Sequence, residues 1–279
     1  MATGAGGLAM RLARPDELDA IRAFLAERVD HAIIPLCNLR DHGLEGTGPR
    51  AMRAAVAEDA GRLTGFAGLT GAGVLMVAGT VDAPGLRAVF RGARLGGGMG
   101  PPDVMRPVLK QLAPEAPREH DGDEPGFEIA LPDVPPEGIR LRPPGDMPSV
   151  LRDMRADFLI EAMDMGRDAA RDRAAQDCKR YVAAGSHRLV ELDGDIVAMT
   201  GFNAEWEGVA QIGGVFVRPE WRGRGIAARA IRAHLAERPD LRRAILYAAS
   251  EAATRAYRAL EPRPIGRMAS VVLAEPIVL

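Results

Sequence analysis

The stretch Val215–Ala227, VFVRPEWRGRGIA, concentrates the chemistry of this chain. An apolar run meets a turn at Pro219. Gly223 and Gly225 then sit among Arg218, Arg222 and Arg224, and helical periodicity begins at Ile226 and continues through Ala230 and Leu235. Glycines let a backbone come close to a ligand and take conformations closed to other residues. The first N–H groups of a helix lack intrahelical acceptors, and with the helix dipole they make an anion site. Arg222 and Arg224 are expected to add charge-assisted hydrogen bonds, each worth roughly 1.5–3 kcal/mol when well placed. The chemistry implied is capture of a phosphate or pyrophosphate.

The surrounding pattern supplies elements to hold that loop. Ile139–Arg142 reads as a short strand, and Asp146–Met165 and Arg167–Ala184 read as helices, the second ended by Gly185. Arg188–Leu192 and Ile196–Phe202 read as a hairpin about Asp193-Gly194. A strand over Gly208–Val217, a helix over Arg222–Glu237 stopped before Pro239, a strand over Arg243–Ala248, a helix over Glu251–Leu260 and a strand over Met268–Leu273 follow. Strands and helices around a mixed sheet give an α/β, or α+β layered, domain.

Upstream, a Pro- and acid-rich passage from Pro114 to Pro136 has the composition of a solvated connection. Its apolar piece, Phe127–Leu131, is expected to be the last strand of a first half, with a boundary near Val134. The expected domains are 1–133 and 134–279. The halves echo each other: Arg11-Leu12 with Pro15, Asp16 and an amphipathic helix parallels Arg140-Leu141 with Pro144, Asp146 and a helix. Thr64-Gly65-Phe66 parallels Thr200-Gly201-Phe202. Ordered matches at similar spacing point to a duplicated unit.

The chain has 279 residues, 47% of them hydrophobic, and a formal net charge of −2. That length supports one large core or two modest ones. The charge provides no global basic field for nucleic acid or an acidic membrane. Cys37 and Cys178 are the two cysteines, too far apart in sequence for a metal signature, and a reducing compartment is the simpler reading. The first residues, MATGAGGLAM, lack a charged segment and a long apolar core, and no window nears ~18 uninterrupted apolar residues. A cytoplasmic protein without a membrane span is expected.

Two motifs together resemble the GNAT acyltransferase superfamily. Val217, Pro219, Arg222, Gly225 and Ala227 fit its acyl-CoA motif, and Ser250, Ala253 and Tyr257 fit the next one, with Ser in place of Asn. The resemblance covers roughly Gly138 to Leu273 and extends to the first half as a degenerate copy. It implies two GNAT-like domains, each a mixed, mostly antiparallel sheet flanked by helices. It also implies roles: Val215, Phe216 and Val217 present backbone to the pantetheine arm and polarise the thioester carbonyl. Backbone amides across Arg222, Gly223, Arg224, Gly225, Ile226 and Ala227 hold the pyrophosphate, Ser250 and Ala253 border the pantetheine, and Tyr257 protonates the departing thiolate.

Departures from the pattern matter. The slot that holds a carboxylate base in several members falls on Gln211, which cannot take a proton in that role. A water relay ranks first as its replacement, Glu207 second, with Glu205 a further option. Glu261-Pro262 replaces the usual Gly-Phe, and Ser250 has the simpler task of capping the helix that starts at Glu251. In the first half, Gly96–Pro102 stands where the anion loop is expected. It has no arginine fork, and Pro107 interrupts the next helix. It also fails the dinucleotide fingerprint, because Pro101 takes the last required glycine. That half reads as non-catalytic.

Other features have plain alternatives. His31 and His42 flank Cys37 without a third ligand type, and Cys178 has the spacing of a small buried hydrophobe, so no acyl-cysteine intermediate is expected. Trp206 and Trp221 read as packing residues. Phe158, Glu161 and Met165 lie on the helix that borders the acceptor in the resembling family, or are simply core and surface. The expected activity is acetyl-CoA-dependent N-acetylation of a primary amine, on a small molecule or peptide, by direct attack in a ternary complex. The alternative is a non-catalytic acyl-CoA sensor or interaction module. Acetyl-CoA and an amine are the expected partners, with no metal, nucleic acid or membrane; a homodimer is left open.

Overall fold

A computed structural model of the chain describes residues 10–279. The first half supplies β1 (Arg11–Leu12), α1 (Leu18–Ala26), α2 (Val29–His42), β2 (Met52–Asp59), β3 (Arg62–Thr70) and β4 (Val74–Gly79). It continues with α3 (Ala83–Val89), β5 (Arg94–Gly100), α4 (Pro102–Leu112) and β6 (Arg118–Ile129). The second half supplies β7 (Arg140–Arg142), α5 (Pro148–Met163), α6 (Arg167–Ala184), β8 (His187–Leu192), β9 (Asp195–Trp206) and β10 (Val209–Val217). It ends with α7 (Ile226–Ala236), β11 (Arg243–Tyr247), α8 (Glu251–Tyr257) and β12 (Arg263–Val278). Among the described residues, no helix is long and apolar enough to cross a membrane.

The chain forms two compact units. One holds the residues up to Glu124 together with Arg267–Leu279; the other is Pro125–Gly266. Strand order in the first is β1-β2-β3-β4-β5-β12, and in the second β7-β8-β9-β10-β11-β6. The described ladders are antiparallel in each, except for one parallel pair at the same place, β4–β5 and β10–β11. The helices recur at matching positions too, α3 after β4 as α7 after β10. This is the tandem arrangement of mixed, mostly antiparallel sheets that the sequence echoes suggest.

The units divide elsewhere than the expected cut between 133 and 134. Phe127 does not end the first sheet: Gly126–Ile129 pair antiparallel with Ala244–Tyr247 of β11 and complete the second. The C-terminal strand completes the first instead, Ala269–Val272 pairing with Gly97–Gly100 of β5. An apolar segment joins whichever edge its register and alternation satisfy, and sequence adjacency does not decide which.

The first unit has its own core, with Leu75, Val77, Leu86, Leu95, Met105, Leu109 and Val271 in one buried cluster. Here the expected anion loop is corrected. Gly96–Gly100 lies within β5, the counterpart of β11, so the glycine run is a strand and not a phosphate loop. Glycine is needed for close approach: a Cβ on Gly97, whose φ is +152°, would run into the carbonyl oxygen of Val271 across the ladder. Pro107 is accommodated inside α4. The true counterpart of the Arg222–Ala227 loop joins β4 to α3 at Thr80–Asp82. There the Asp82 carboxylate accepts from the Gly85 N–H at 2.7 Å, and Pro84 has no N–H to offer. This helix start is thus already capped by the protein's own carboxylate.

Gly97→Ala should destabilise the protein by about 1–3 kcal/mol through this backbone collision, read as a lower urea midpoint at unchanged m-value.

Candidate functional site

The site begins where a ladder ends. Val209–Ile212 of β10 pair in parallel with Arg243–Leu246 of β11. From Gly213 onward β10 has no partner on β11, yet it stays on β9 through Phe216–Met199 and Val217–Ala198. The β9 register shifts between Gly213 and Phe216, where Gly214 takes φ +64°. This is a bulge, which bends a strand and increases its twist. The edge of β10 around Val215 is therefore left with unpaired backbone groups, a place for an added extended chain.

After Val217 a short 3-10 turn, Pro219–Trp221, leads to Arg222, Gly223, Arg224 and Gly225. Helix α7 starts at Ile226, later than the sequence expectation of Arg222, because Gly225 holds φ +69° as its N-cap and contributes no side-chain cap. That left-handed turn is cheap only for glycine. The first helical bond runs from the Arg229 N–H to the Gly225 carbonyl at 3.2 Å. The Ile226, Ala227 and Ala228 amides lie ahead of it as the free donors of a helix start. Ile226, Ala230, Ile231 and Leu235 bury the other side of α7 in the sheet's apolar clusters and fix its direction.

The arginine fork is where the structure differs from expectation. Arg222 turns back: its Nε donates to the Val217 carbonyl at 3.0 Å and its Nη2 to Glu161 Oε2 of α5 at 2.7 Å. Arg224 lies 4.8 Å from the Trp221 ring centroid and reaches the Glu220 carbonyl at 3.4 Å. In this arrangement both are engaged with the protein, Arg222 fastens the loop to strand and helix, and the donors left at the start of α7 are backbone amides.

Tyr257 is buried in the same apolar cluster as Ile212, Leu246 and Ala248, against which the partly buried Val215 and Ala253 also pack. The second motif is thus brought to the end of the parallel ladder. Ser250 caps α8, its Oγ accepting from the Ala253 N–H at 3.1 Å. Gln211 lies one residue before the ladder's end, 6% exposed, and its Oε1 has no partner among the described residues. Glu207 is corrected as a source of the base. It sits in the β9–β10 turn at the far end of β10, at φ +42° beside Gly208, and its carbonyl accepts from Arg242. At about 3.4 Å per residue that turn is roughly 20 Å or more from Val215. Glu205 is held in an ion pair with Arg238, which also binds Asp240 at 2.7 Å.

Several organising residues carry no sequence signal of their own. Asp177 of α6, 4% exposed, receives Arg155 of α5 at 3.0 and 2.6 Å, with Arg173 and Arg180 also bonded to it. This locks α5 to α6 and places Glu161 within reach of Arg222. Phe158 and Met165 pack between those helices. Cys178 is buried beside Asp177, and burial pushes its thiol up to about 11, the wrong direction for a nucleophile. Cys37 is buried too, and among the described residues no His, Cys, Asp and Glu cluster could hold a metal.

Residues 148–261 match the family model described as the acetyltransferase (GNAT) family. Solved structures share the fold over nearly the whole chain. A GCN5-related N-acetyltransferase from Sphaerobacter thermophilus is 20% identical with a TM-score of 0.56, covering 94% of this chain and 93% of its own. A tandem GNAT protein from the clavulanic acid biosynthesis pathway is 17% identical with a TM-score of 0.55, covering 96% and 99%. A GNAT-family acetyltransferase from Colwellia psychrerythraea is 12% identical with a TM-score of 0.53, covering 95% and 99%. No curated protein matches the sequence.

Two buried histidines flank β9 and β10. His234 of α7 stacks on Phe202 with centroids 4.2 Å apart, and burial pushes it down to about 3. His187, wholly buried, is held well below the usual imidazole range by burial and by the nearby Arg155. Both stay neutral in the folded protein, whereas in the unfolded chain they take up protons near pH 6.5. The unfolded state then binds more protons, so stability falls as pH drops from about 6.5 toward 3. His234→Leu should lose less stability than wild type between pH 7 and pH 5, by about 1–2 kcal/mol. Urea midpoints at the two pH values check this.

Proposed function

With residues 148–261 a GNAT acetyltransferase domain, we propose that this acyltransferase moves an acetyl group from acetyl-CoA to the primary amine of a small molecule or peptide. Support comes above all from the conjunction at the end of β10: an unpaired strand edge around Val215, followed directly by the bare amides of α7 behind a left-handed Gly225. An extended pantetheine fits the first and a pyrophosphate the second.

The residues divide the reaction as follows. Backbone N–H in the Val215–Val217 segment donates to the thioester oxygen, where negative charge develops. The amine nitrogen attacks the carbonyl carbon, forming C–N as C–S breaks. Tyr257 gives its proton to the departing thiolate and regains one from solvent. The proton lost by the amine leaves through water, with Gln211 Oε1 as a hydrogen-bond acceptor for that water and not as a base. No covalent enzyme intermediate is involved, in keeping with the buried, poorly ionised Cys178. The first unit takes no acyl-CoA, because Asp82 fills its anion position. A cytoplasmic setting belongs to the same proposal.

Ala227→Glu separates ligand binding from folding. A carboxylate in the first turn of α7 favours the helix dipole and repels a pyrophosphate. Calorimetry should give one acetyl-CoA per wild-type chain and at least ~10-fold weaker binding in the variant, with its thermal midpoint held or raised. Undiminished binding would remove the amide cup from the account. Tyr257→Phe should lower kcat by ~10²–10⁴ on an accepted amine at similar acetyl-CoA affinity. An unchanged kcat, with chemistry shown to limit the rate, would show that another group is the acid.

A further inference from the structure

His187 opens β8 and is 0% exposed. One face of its ring stacks on Tyr181 of α6, centroids 3.4 Å apart and planes 15° from parallel. The ring also covers Gly201 of β9 so closely that a Cβ there would lie 2.2 Å from it, a collision. At its tip, Nε2 would be 2.9 Å from a Cβ on Gly214. Gly201 pairs with His187 on one side and with Gly213 on the other. The ring therefore reaches across a neighbouring strand to the β10 bulge that releases the strand from β11.

The polar atoms of this ring are unusually placed. Ser186 Oγ lies 3.0 Å from Nδ1, while Nε2 is buried with no partner among the described residues. An apolar ring of similar size would fill the slot between Tyr181 and the glycines without burying an unpaired nitrogen, which is costly. Packing alone explains the ring's shape but not its nitrogen.

We propose that His187 is a positioning residue for acyl transfer: with the Ser186 hydroxyl donating to Nδ1, the ring proton rests on Nε2 and is donated to a carbonyl of the Gly213–Val215 bulge as the thioester seats. This fixes the bulge so that its N–H groups point at the thioester oxygen. Glycine at 201 and 214 is what allows an imidazole to come this close. The inference rests on the acyl-CoA reading of the site and concerns how that site is shaped, not whether the donor binds.

The test needs no knowledge of the amine. Wild type, His187→Phe and His187→Gln are titrated with acetyl-CoA by calorimetry, and the carbonyl stretch of bound, carbon-13-labelled acetyl-CoA is recorded by infrared difference spectroscopy. In wild type the stretch should move to lower frequency than in free acetyl-CoA. In His187→Phe, affinity should stay within about twofold while the stretch returns toward the free value; His187→Gln, which restores a donor near Nε2, should recover part of the shift. An unchanged stretch in a folded, binding His187→Phe overturns the role. So does loss of binding in parallel with thermal stability in both variants, which would make the ring a structural spacer. A wild type that binds no acetyl-CoA would instead overturn the acyl-CoA reading, and this inference with it.

Discussion

The parallel ladder between β10 and β11 stops at Ile212 and Leu246, and the open strand edge of the second unit depends on that stop. Backbone groups inside a sheet are normally paired. A central strand that leaves its neighbour exposes donors and acceptors within a rigid frame, where a ligand can complete the pairing without the protein reorganising. The bulge between Gly213 and Phe216 and the left-handed Gly214 make the departure possible while β9 continues to hold the strand. The same departure delivers Val217 into the turn that opens α7, so strand edge and helix amides follow one another along the chain.

The supporting elements divide the work by chemistry. Apolar burial of Ile226, Ala230, Ile231 and Leu235 orients α7, and the buried Asp177–Arg155 pair fixes α5 against α6. Breaking such a pair would leave an uncompensated buried charge, which is far more costly than the pair's net contribution to stability. Arg222 then joins α5 to the end of β10 through Glu161 and the Val217 carbonyl. Helix α5 and the turn that opens α7 thus share a side chain, although that link is exposed and weak by itself.

The first unit repeats the topology with a different helix start. Its parallel pair, β4 and β5, occupies the same place in the strand order. The connection after β4 ends in an aspartate cap and a proline instead of a bare glycine. Beyond the last pair of the β4–β5 ladder, Met76 with Met99, the Val77 side chain lies against Gly100. Each unit also takes its last strand from a remote part of the chain, Arg267–Leu279 for the first and Pro125–Ile129 for the second.

The sequence by itself determined what local physics controls. The periodicities place α6, the β8–β9 hairpin and β10, and the glycine before Ile226 marks the helix start at which Gly225 takes its left-handed turn. These signals survive in one dimension because capping, turns and helix amides involve neighbours in sequence. Only the tertiary structure decided that Phe127–Ile129 joins the second sheet, that the Gly96–Gly100 run is a strand, that Arg222 turns back to Val217 and Glu161, and that Glu207 lies at the wrong end of β10. It also decided that His187 lies over Gly201 and reaches Gly214. Strand partners, long flexible side chains and close ring–backbone packing are chosen among residues far apart in the chain, so no local pattern encodes them.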